Sequence, residues 1–250
     1  MTTIGETGIR LIDRDDLATL DTTTLATDGG VLLVDKPKGW TSFDVVAKCR
    51  GIFRVKKVGH TGTLDPMATG LLVLCFGRAT KLVERLQAEE KEYTGAIRFG
   101  ATTPTDDADS EETETFAIDH LTPEAIADSA ASFVGEQLQA PPMFSARKVA
   151  GQRLYKLARR GETVEVAPRA ITVRAFEITA VDLPEARFRI VCSKGTYIRS
   201  LARDLGRALG TGAYLTELRR TRSGDLHVDR AATIDELQAT RRTHENQRDS

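Results

Sequence analysis

The chain has 250 residues, of which 40% are hydrophobic and 28% charged, and its formal net charge is -1. These proportions are typical of a soluble protein with enough apolar surface for one large or two small domains, and no long apolar stretch or N-terminal signal pattern indicates a membrane or exported protein, so we expect a cytoplasmic one. The widely spaced cysteines Cys49, Cys75 and Cys192 argue against a disulfide framework or a zinc-binding pair, and we expect them to be small buried hydrophobes.

The first quarter of the chain is predicted to contain an extension, a strand and a helix. Residues 1–28 are rich in Thr and Asp and lack a sustained apolar period, which predicts a flexible or loosely attached N-terminal extension. The apolar run Val31–Val34 predicts a short strand. Ser42 is a good N-cap for a helix that runs to about Phe53.

The middle of the chain alternates between strand and helix patterns. Apolar and alternating runs predict strands over Leu71–Phe76 and Glu92–Phe99, with a helix over Ala79–Gln87 between them. An acidic loop follows over Thr102–Thr115. Thr122-Pro123-Glu124 then opens a helix that Gly135 closes.

The last third of the chain predicts a rigid loop, a strand pair and one strongly amphipathic helix. Pro141–Ala146 is the loop, and a short helix is expected over Leu154–Arg160. Ile171–Val181 and Arg187–Cys192 are predicted to pair as strands. A helix over Tyr197–Leu209 has one apolar face and is stopped by a glycine.

These elements interleave without a regular beta-alpha-beta repeat, which predicts an α+β fold. We expect one domain over residues 29–240, large enough to be a catalytic domain, and a polar C-terminal tail over residues 241–250. No internal repeat of solenoid or propeller length is present.

Charge is strongly segregated along the chain despite the near-zero total. Basic residues crowd the region before His60 and the last third of the chain, whereas Asp and Glu dominate residues 106–119. If the basic segments meet in the fold, they would form an anion-binding face suited to RNA. For any single cation, including the stripe Arg199, Arg203 and Arg207, a solvated helix face is the alternative.

One loop stands out as a place for chemistry. Gly59-His60-Thr61-Gly62-Thr63-Leu64-Asp65-Pro66-Met67-Ala68 precedes Thr69-Gly70 and an apolar strand. Glycines permit tight turns, and Pro66 biases Asp65 toward an extended backbone. The loop therefore presents one carboxylate in a stiff setting, although an Asp before a Pro also simply starts a turn.

Three motifs elsewhere in the chain accompany this loop. The accompanying motifs are Val34-Asp35-Lys36-Pro37-Lys38-Gly39-Trp40-Thr41-Ser42, Lys91-Glu92-Tyr93 and Cys192-Ser193-Lys194-Gly195-Thr196-Tyr197-Ile198-Arg199. In this order they resemble the bacterial TruB family of tRNA pseudouridine synthases, over roughly Gly30 to Leu237. The resemblance implies the pseudouridine synthase fold, a mixed, largely antiparallel central sheet flanked by helices, with the active-site cleft across it.

The resemblance also implies catalytic roles for three residues. Asp65 is the expected nucleophile, and Arg199 is the cation expected to pair with it and keep it ionised in a dry pocket. Tyr93 is expected to stack on the flipped uridine and to help move a proton. The alternatives are a phosphate contact or surface charge for Arg199 and a core position for Tyr93.

Further residues are expected to bind substrate or to support the loop. His60 matches a histidine that contacts the RNA loop, and Tyr197 and Leu218 match residues lining the same pocket. Lys36 and Pro37 resemble a motif that packs behind the catalytic loop. The isomerisation exchanges no electrons or groups with another molecule, so no cofactor is expected, and no metal-binding or nucleotide-binding motif fits the spacing.

The expected activity is isomerisation of uridine-55 in the T-loop of tRNA. We expect a monomer that acts on the T-arm without an obligatory protein partner or a membrane. The chain ends soon after Leu237, so a C-terminal PUA-like RNA-binding domain is expected to be missing. A non-catalytic tRNA-folding protein and a guide-RNA-dependent pseudouridine synthase are the alternatives, and activity on bare tRNA separates them.

Overall fold

The computed structural model describes residues 4, 7–20, 22–142, 144, 148–149, 152–153, 160 and 166–246. The chain divides into two compact units. The first unit comprises Met1–Lys91 and Arg219–Ser250, and the second comprises Glu92–Leu218. Within the described residues, no helix has the length and hydropathy needed to cross a membrane.

The described elements are as follows. The strands are β1 (Leu11–Ile12), β2 (Gly30–Lys36), β3 (Val58–His60), β4 (Thr69–Phe76), β5 (Lys91–Phe99), β6 (Ala101–Thr102), β7 (Glu114–Thr115), β8 (Gly135–Gln139), β9 (Lys148–Val149), β10 (Gln152–Arg153), β11 (Arg169–Asp182), β12 (Glu185–Cys192), β13 (Ala213–Ser223) and β14 (Leu226–His227). The α-helices are α1 (Thr22–Thr27), α2 (Ser42–Phe53), α3 (Val83–Ala88), α4 (Pro123–Ser132), α5 (Ile198–Ala208) and α6 (Ile234–Asn246). Short 3-10 helices cover Leu17–Thr19, Gly77–Leu82 and Val228–Arg230.

The sheet of the first unit is built on β2 and β4, which pair antiparallel along their length. The strand order is β1-β2-β4-β13, in which β13 contributes Arg219–Ser223; β3 also pairs with β4, and β14 pairs with β13. Val31–Val34 and Leu71–Phe76 are at most 1% exposed. Such uninterrupted apolar runs are typical of strands covered on both faces, which is why the sequence predicted them correctly.

Helix α2 begins with a complete capping box. The Thr41 hydroxyl accepts from the Asp44 amide at 3.1 Å, and the Asp44 carboxylate accepts from the Thr41 amide at 2.8 Å. The N-cap is therefore Thr41, and the predicted N-cap Ser42 is wrong by one residue. The difference frees the Ser42 hydroxyl for another contact.

The N-terminal segment is packed against the sheet of the first unit. Strand β1 runs parallel to β2, and the Asp13 carboxylate pairs with the Arg230 guanidinium. The buried apolar residues of this segment are Ile4, Leu11, Ile12, Leu17, Leu20 and Leu25. The prediction of a loosely attached extension over residues 1–28 is therefore wrong for this part. A strand, a 3-10 turn and a short helix follow one another here, so no single apolar period appears in the sequence.

The second unit contains the order β13-β5-β12-β11-β8, in which β13 contributes Ala213–Leu218. Strand β11 pairs antiparallel with both β12 and β8, which confirms the predicted strand pair around Pro184. Helix α4 packs on β11, and α5 contacts α4. Phe176 of β11 meets Phe133 and Phe188 edge to face, with ring centroids 6.2 Å apart in both pairs.

The predicted α+β class, with a mixed, largely antiparallel sheet flanked by helices, is confirmed. The predicted helix over Ala79–Gln87 is a 3-10 helix that continues as α3. Helix α6 extends six residues, 241–246, into the predicted polar tail. The predicted helix over Leu154–Arg160 lies, apart from its last residue, outside the described residues. Strands β3, β8 and β13 were not predicted.

All three cysteines are buried, as predicted, and none of them forms a disulfide. Burial raises the pKa of the Cys49 and Cys75 thiols to about 12. A thiol with such a pKa is almost wholly protonated at neutral pH, so both behave as apolar side chains.

Candidate active site

The loop that carries Asp65 joins β3 to β4 in the first unit and is tied to helix α2. The buried Ser42 hydroxyl accepts from the Leu64 amide at 2.8 Å and donates to the Leu64 carbonyl at 3.2 Å. The Ala68 amide donates to the Asp65 carbonyl at 3.1 Å, which closes a turn. The backbone on both sides of Asp65 is therefore fixed, and the half-buried side chain starts from a defined point.

Lys36 fastens the other side of the same loop. Its side chain is fully buried, and its ammonium donates to the carbonyls of Pro37 at 2.9 Å, Trp40 at 2.6 Å and Pro66 at 3.3 Å. Pro66 directly follows the candidate nucleophile. A buried ammonium is stable only when such acceptors replace its water, so Lys36 and these carbonyls depend on one another.

Arg220 is a second buried cation beneath the loop. It is 3% exposed, and its guanidinium donates to the Leu71 carbonyl at 2.7 Å and to the Gly62 carbonyl at 3.1 Å. Gly70 allows the close strand approach that this requires, because its φ is +98° and a Cβ there would lie 2.3 Å from the Arg220 carbonyl oxygen. Arg220 thus links β4 to the glycine three residues before Asp65.

His60 ends β3 and is half-buried at the start of the loop. The Gly62 amide points at its Nδ1 at 3.3 Å. Burial lowers the pKa of His60, and the positive charge of Arg220 lowers it further. His60 is therefore held neutral at physiological pH, which suits a residue that contacts substrate without carrying charge.

The remaining predicted site residues belong to the second unit. Tyr93 lies on β5 and is 9% exposed, and Leu218 lies on β13 and is 7% exposed. Tyr197 is half-buried at the N-cap of α5, and Arg199 lies in the first turn of that helix at 3% exposure. Burial on this scale shows that Tyr93, Leu218 and Arg199 are not surface residues.

The acidic loop of the second unit holds the Arg199 guanidinium. Arg199 donates to the Thr105 carbonyl at 2.7 Å and to the Phe144 carbonyl at 2.8 Å, and its Nε lies 3.5 Å from an Asp107 carboxylate oxygen. Burial raises the pKa of Asp107, while the Thr105 hydroxyl and Arg199 oppose that rise. The surface-charge alternative for Arg199 is therefore wrong.

A second arginine of α5 is bound by the same loop. Arg203 donates to the Asp106 carboxylate at 3.0 Å, with side-chain exposures of 18% and 14%. Burial raises the pKa of Asp106, and the charges of Arg203 and Arg199 oppose that rise. Of the predicted arginine stripe, Arg207 alone among the three has an exposed side chain, at 71%. The stripe is thus mainly internal ion pairing, which neither alternative for it anticipated.

Comparison with known proteins assigns these motifs to a family. A family model described as the N-terminal domain of TruB family pseudouridylate synthases matches residues 50–198, and one described as the tRNA pseudouridylate synthase B C-terminal domain matches residues 199–250. The chain belongs to the TruB family of pseudouridylate synthases.

Relatives of this family named tRNA pseudouridine synthase B cover most of the chain. The one from Chloroherpeton thalassium is 49% identical over 215 residues, which is 84% of this chain and 89% of the relative. The one from Mycobacteroides abscessus is 52% identical over 213 residues, which is 83% of this chain and 72% of the relative. Both alignments are long enough to span the site residues of both units.

A solved structure shares the fold. The crystal structure of the archaeal box H/ACA sRNP Nop10-Cbf5 complex contains a chain that is 27% identical, with a TM-score of 0.68. The match covers 98% of this chain and 62% of that chain, so the TruB-family chain spans less than two thirds of its structural neighbour.

The structure places the predicted site residues in two groups. Lys36, Pro37, His60 and Asp65 lie together around one loop of the first unit, whereas Tyr93, Tyr197, Arg199 and Leu218 belong to the second unit. The predicted pairing of Asp65 with Arg199, and the roles of all eight residues, stay predictions.

Sequence reasoning missed two residues that support the loop, Ser42 and Arg220. Ser42 was assigned to a helix cap, and the sequence holds no sign of its contact with Leu64, 22 residues away. Arg220 was counted as one of many cations. Arg219 and Arg220 lie next to each other on β13 and so point to opposite faces, but the sequence did not predict this strand and therefore held no signal that one of them is internal.

Within the part of the chain that the structure describes, no group of three or more His, Cys, Asp or Glu residues is arranged to hold a metal ion. The buried carboxylates of the acidic loop face arginines instead.

Proposed function

We propose that this chain is a tRNA pseudouridine synthase that isomerises uridine-55 in the T-loop of tRNA. The observation that carries the proposal is the Asp65 loop, in which Ser42 and Lys36 fix the peptide groups on both sides of one carboxylate. Its TruB-family membership and relatives named tRNA pseudouridine synthase B support the substrate. The substrate is tRNA through its T-arm, and the enzyme works in the cytoplasm as a monomer without cofactor, metal or obligatory protein partner.

The reaction begins with extrusion of the target uridine from its RNA loop. Unstacking and unpairing a base cost a few kcal/mol, and stacking on an aromatic ring returns about 1 to 3 kcal/mol. Tyr93 provides that ring, while Tyr197 and Leu218 line the pocket. Neutral His60 contacts the RNA loop without acting as a general base.

Asp65 then acts as the covalent nucleophile that allows the bond between ribose and base to break. The freed base turns and is rejoined to the ribose through a ring carbon, and the covalent bond to Asp65 breaks. That ring carbon loses its proton and the ring nitrogen released from the ribose gains one, so no atom is gained or lost overall. Arg199 supplies the positive charge that favours ionised Asp65 in a dry site. The Tyr93 hydroxyl helps move the proton from the ring carbon.

The test uses an unmodified T-arm hairpin and chemical mapping of pseudouridine. The wild-type chain should convert the T-loop uridine, and Asp65→Asn should bind the hairpin with similar affinity but form no product. Asp225→Asn, which changes an exposed carboxylate, is the matched control and should behave as wild type.

Two outcomes would contradict the proposal. Binding without conversion by the wild-type chain would favour a tRNA-folding role. Conversion only after addition of a guide RNA and partner proteins would favour the guide-dependent alternative, which the likeness to the Cbf5 complex keeps open.

A further inference from the structure

Gln139 is the last residue of β8, and its side-chain amide hydrogen-bonds to both the backbone amide and the backbone carbonyl of Tyr197. The Tyr197 amide donates to Gln139 Oε1 at 2.8 Å, and Gln139 Nε2 donates to the Tyr197 carbonyl at 3.0 Å. Gln139 is 4% exposed, so both bonds are shielded from water. A glutamine amide carries a donor and an acceptor in one plane and can therefore replace a neighbouring strand's backbone.

Tyr197 has particular need of such a partner. It is the N-cap of α5, with an extended backbone, and its own side chain makes no capping hydrogen bond. Its carbonyl also accepts from the Leu201 amide at 3.2 Å, so the Gln139 bond falls on the residue that starts the helix. The placement of Tyr197 therefore sets the placement of the first turn.

The segment after Gln139 binds the same helical turn at two further points. The Ser200 hydroxyl donates to the Ala140 carbonyl at 3.2 Å, and the Arg199 guanidinium donates to the Phe144 carbonyl at 2.8 Å. Gln139, Ala140 and Phe144 therefore all hydrogen-bond to the helical turn that contains Tyr197 and Arg199.

We propose that Gln139 is a positioning residue for pseudouridine formation, which seats Tyr197 and, through the first turn of α5, Arg199. The inference rests on the proposed function, because it concerns the rate of pseudouridine formation. It assigns Gln139 no contact with RNA. Its effect is on the rate of the chemical step more than on RNA affinity, since affinity for RNA is dominated by the many phosphate contacts of the duplex. A displacement of about 1 Å in a positioned group can lower a rate by about 100-fold.

The experiment compares three substitutions in the full chain. Gln139→Met has a similar length and lacks both hydrogen-bonding groups. Gln139→Glu keeps the acceptor for the Tyr197 amide and loses the donor. Gln137→Met is the matched control, because Gln137 lies two residues away on the same strand and donates instead to the Phe133 carbonyl at 2.6 Å.

Two quantities separate positioning from a general loss of structure. The single-turnover rate is measured on the T-arm hairpin at saturating enzyme, and the Kd is measured for the same hairpin in an Asp65→Asn background. Gln139→Met should lower the rate by roughly 10- to 100-fold with a Kd within about 2-fold of wild type. Gln139→Glu should fall between Gln139→Met and wild type, and Gln137→Met should keep the wild-type rate.

Amide hydrogen exchange gives a readout that needs no activity. Exchange at the Tyr197 amide should accelerate in Gln139→Met and stay slow in Gln139→Glu and Gln137→Met. A wild-type rate in Gln139→Met, or equal losses in Gln139→Met and Gln137→Met, overturns the inference. An inactive wild-type chain overturns the proposed function and the positioning role with it. Fast exchange of the Tyr197 amide in the wild type overturns the positioning role of Gln139 alone.

Discussion

Replacing Lys36 with methionine tests whether one buried ammonium holds the candidate catalytic loop. The substitution keeps the length of the side chain and removes the donor shared by the carbonyls of Pro37, Trp40 and Pro66. The Pro66 carbonyl keeps the Gly39 amide as a donor at 2.8 Å, so the loss falls on the carbonyls of Pro37 and Trp40, at about 1 to 3 kcal/mol each. Removal of the ammonium also relieves its own burial, which offsets several kcal/mol of that loss.

The net loss of unfolding free energy should be about 1 to 3 kcal/mol, the balance of these two terms. For a chain of this length such a loss lowers Tm by about 2 to 12 °C. Thermal unfolding followed by circular dichroism measures it. Lys38→Met is the matched control, because Lys38 is exposed two residues further on and its loss should change stability by at most about 0.5 kcal/mol.

Activity provides the second half of this test. Pro66 directly follows Asp65, and without the ammonium its carbonyl keeps only the Gly39 amide as a donor, so conversion of the T-arm hairpin should slow by about 10-fold per folded molecule. If Lys36→Met has the same Tm as Lys38→Met and keeps the wild-type rate, the loop does not depend on the ammonium and the reasoning fails.

Two further predictions concern charge. Burial and the charge of Arg220 lower the pKa of His60 in the folded chain below its value of about 6.5 in the unfolded chain. As pH falls, the unfolded chain therefore binds the His60 proton before the folded chain does. The stability that neutral His60 contributes is complete above about pH 6.5 and is lost as pH falls below it. Tm measured between pH 7.5 and pH 5 should therefore fall less in His60→Gln than in wild type, and parallel curves would contradict this. Arg203→Met should cost about 1.5 to 3 kcal/mol because the half-buried Asp106 carboxylate loses its charge-assisted hydrogen bond, whereas Arg207→Met should be near neutral; equal Tm values for the two variants would refute the internal role of Arg203.

The sequence was informative wherever structure depends on neighbouring residues. The apolar runs of β2 and β4 predicted buried strands because both faces of those strands are covered. The glycines and Pro66 around Asp65 predicted a stiff loop because their limits on φ and ψ are local. The order of the motifs along the chain is enough to recognise the TruB family.

The sequence failed where a side chain's partner lies far along the chain. The sequence did not predict β13, because charged residues interrupt its apolar pattern. Arg219 pairs with Asp35, and Arg220 on the opposite face of the strand points into the core. The N-terminal segment was taken for a loose extension because its apolar residues follow no single period.

The sequence by itself determined the fold class, the loop that presents Asp65 and the family. Only the tertiary structure decided which polar residues act inside the protein: Lys36 and Arg220 beneath the loop, Gln139 against Tyr197, and the acidic loop around Arg199. The physical reason is that a charged or amide group is placed by the carbonyls and carboxylates that replace its water. Those acceptors are brought to it by the fold, across up to 158 residues of chain in the case of Arg220 and Gly62.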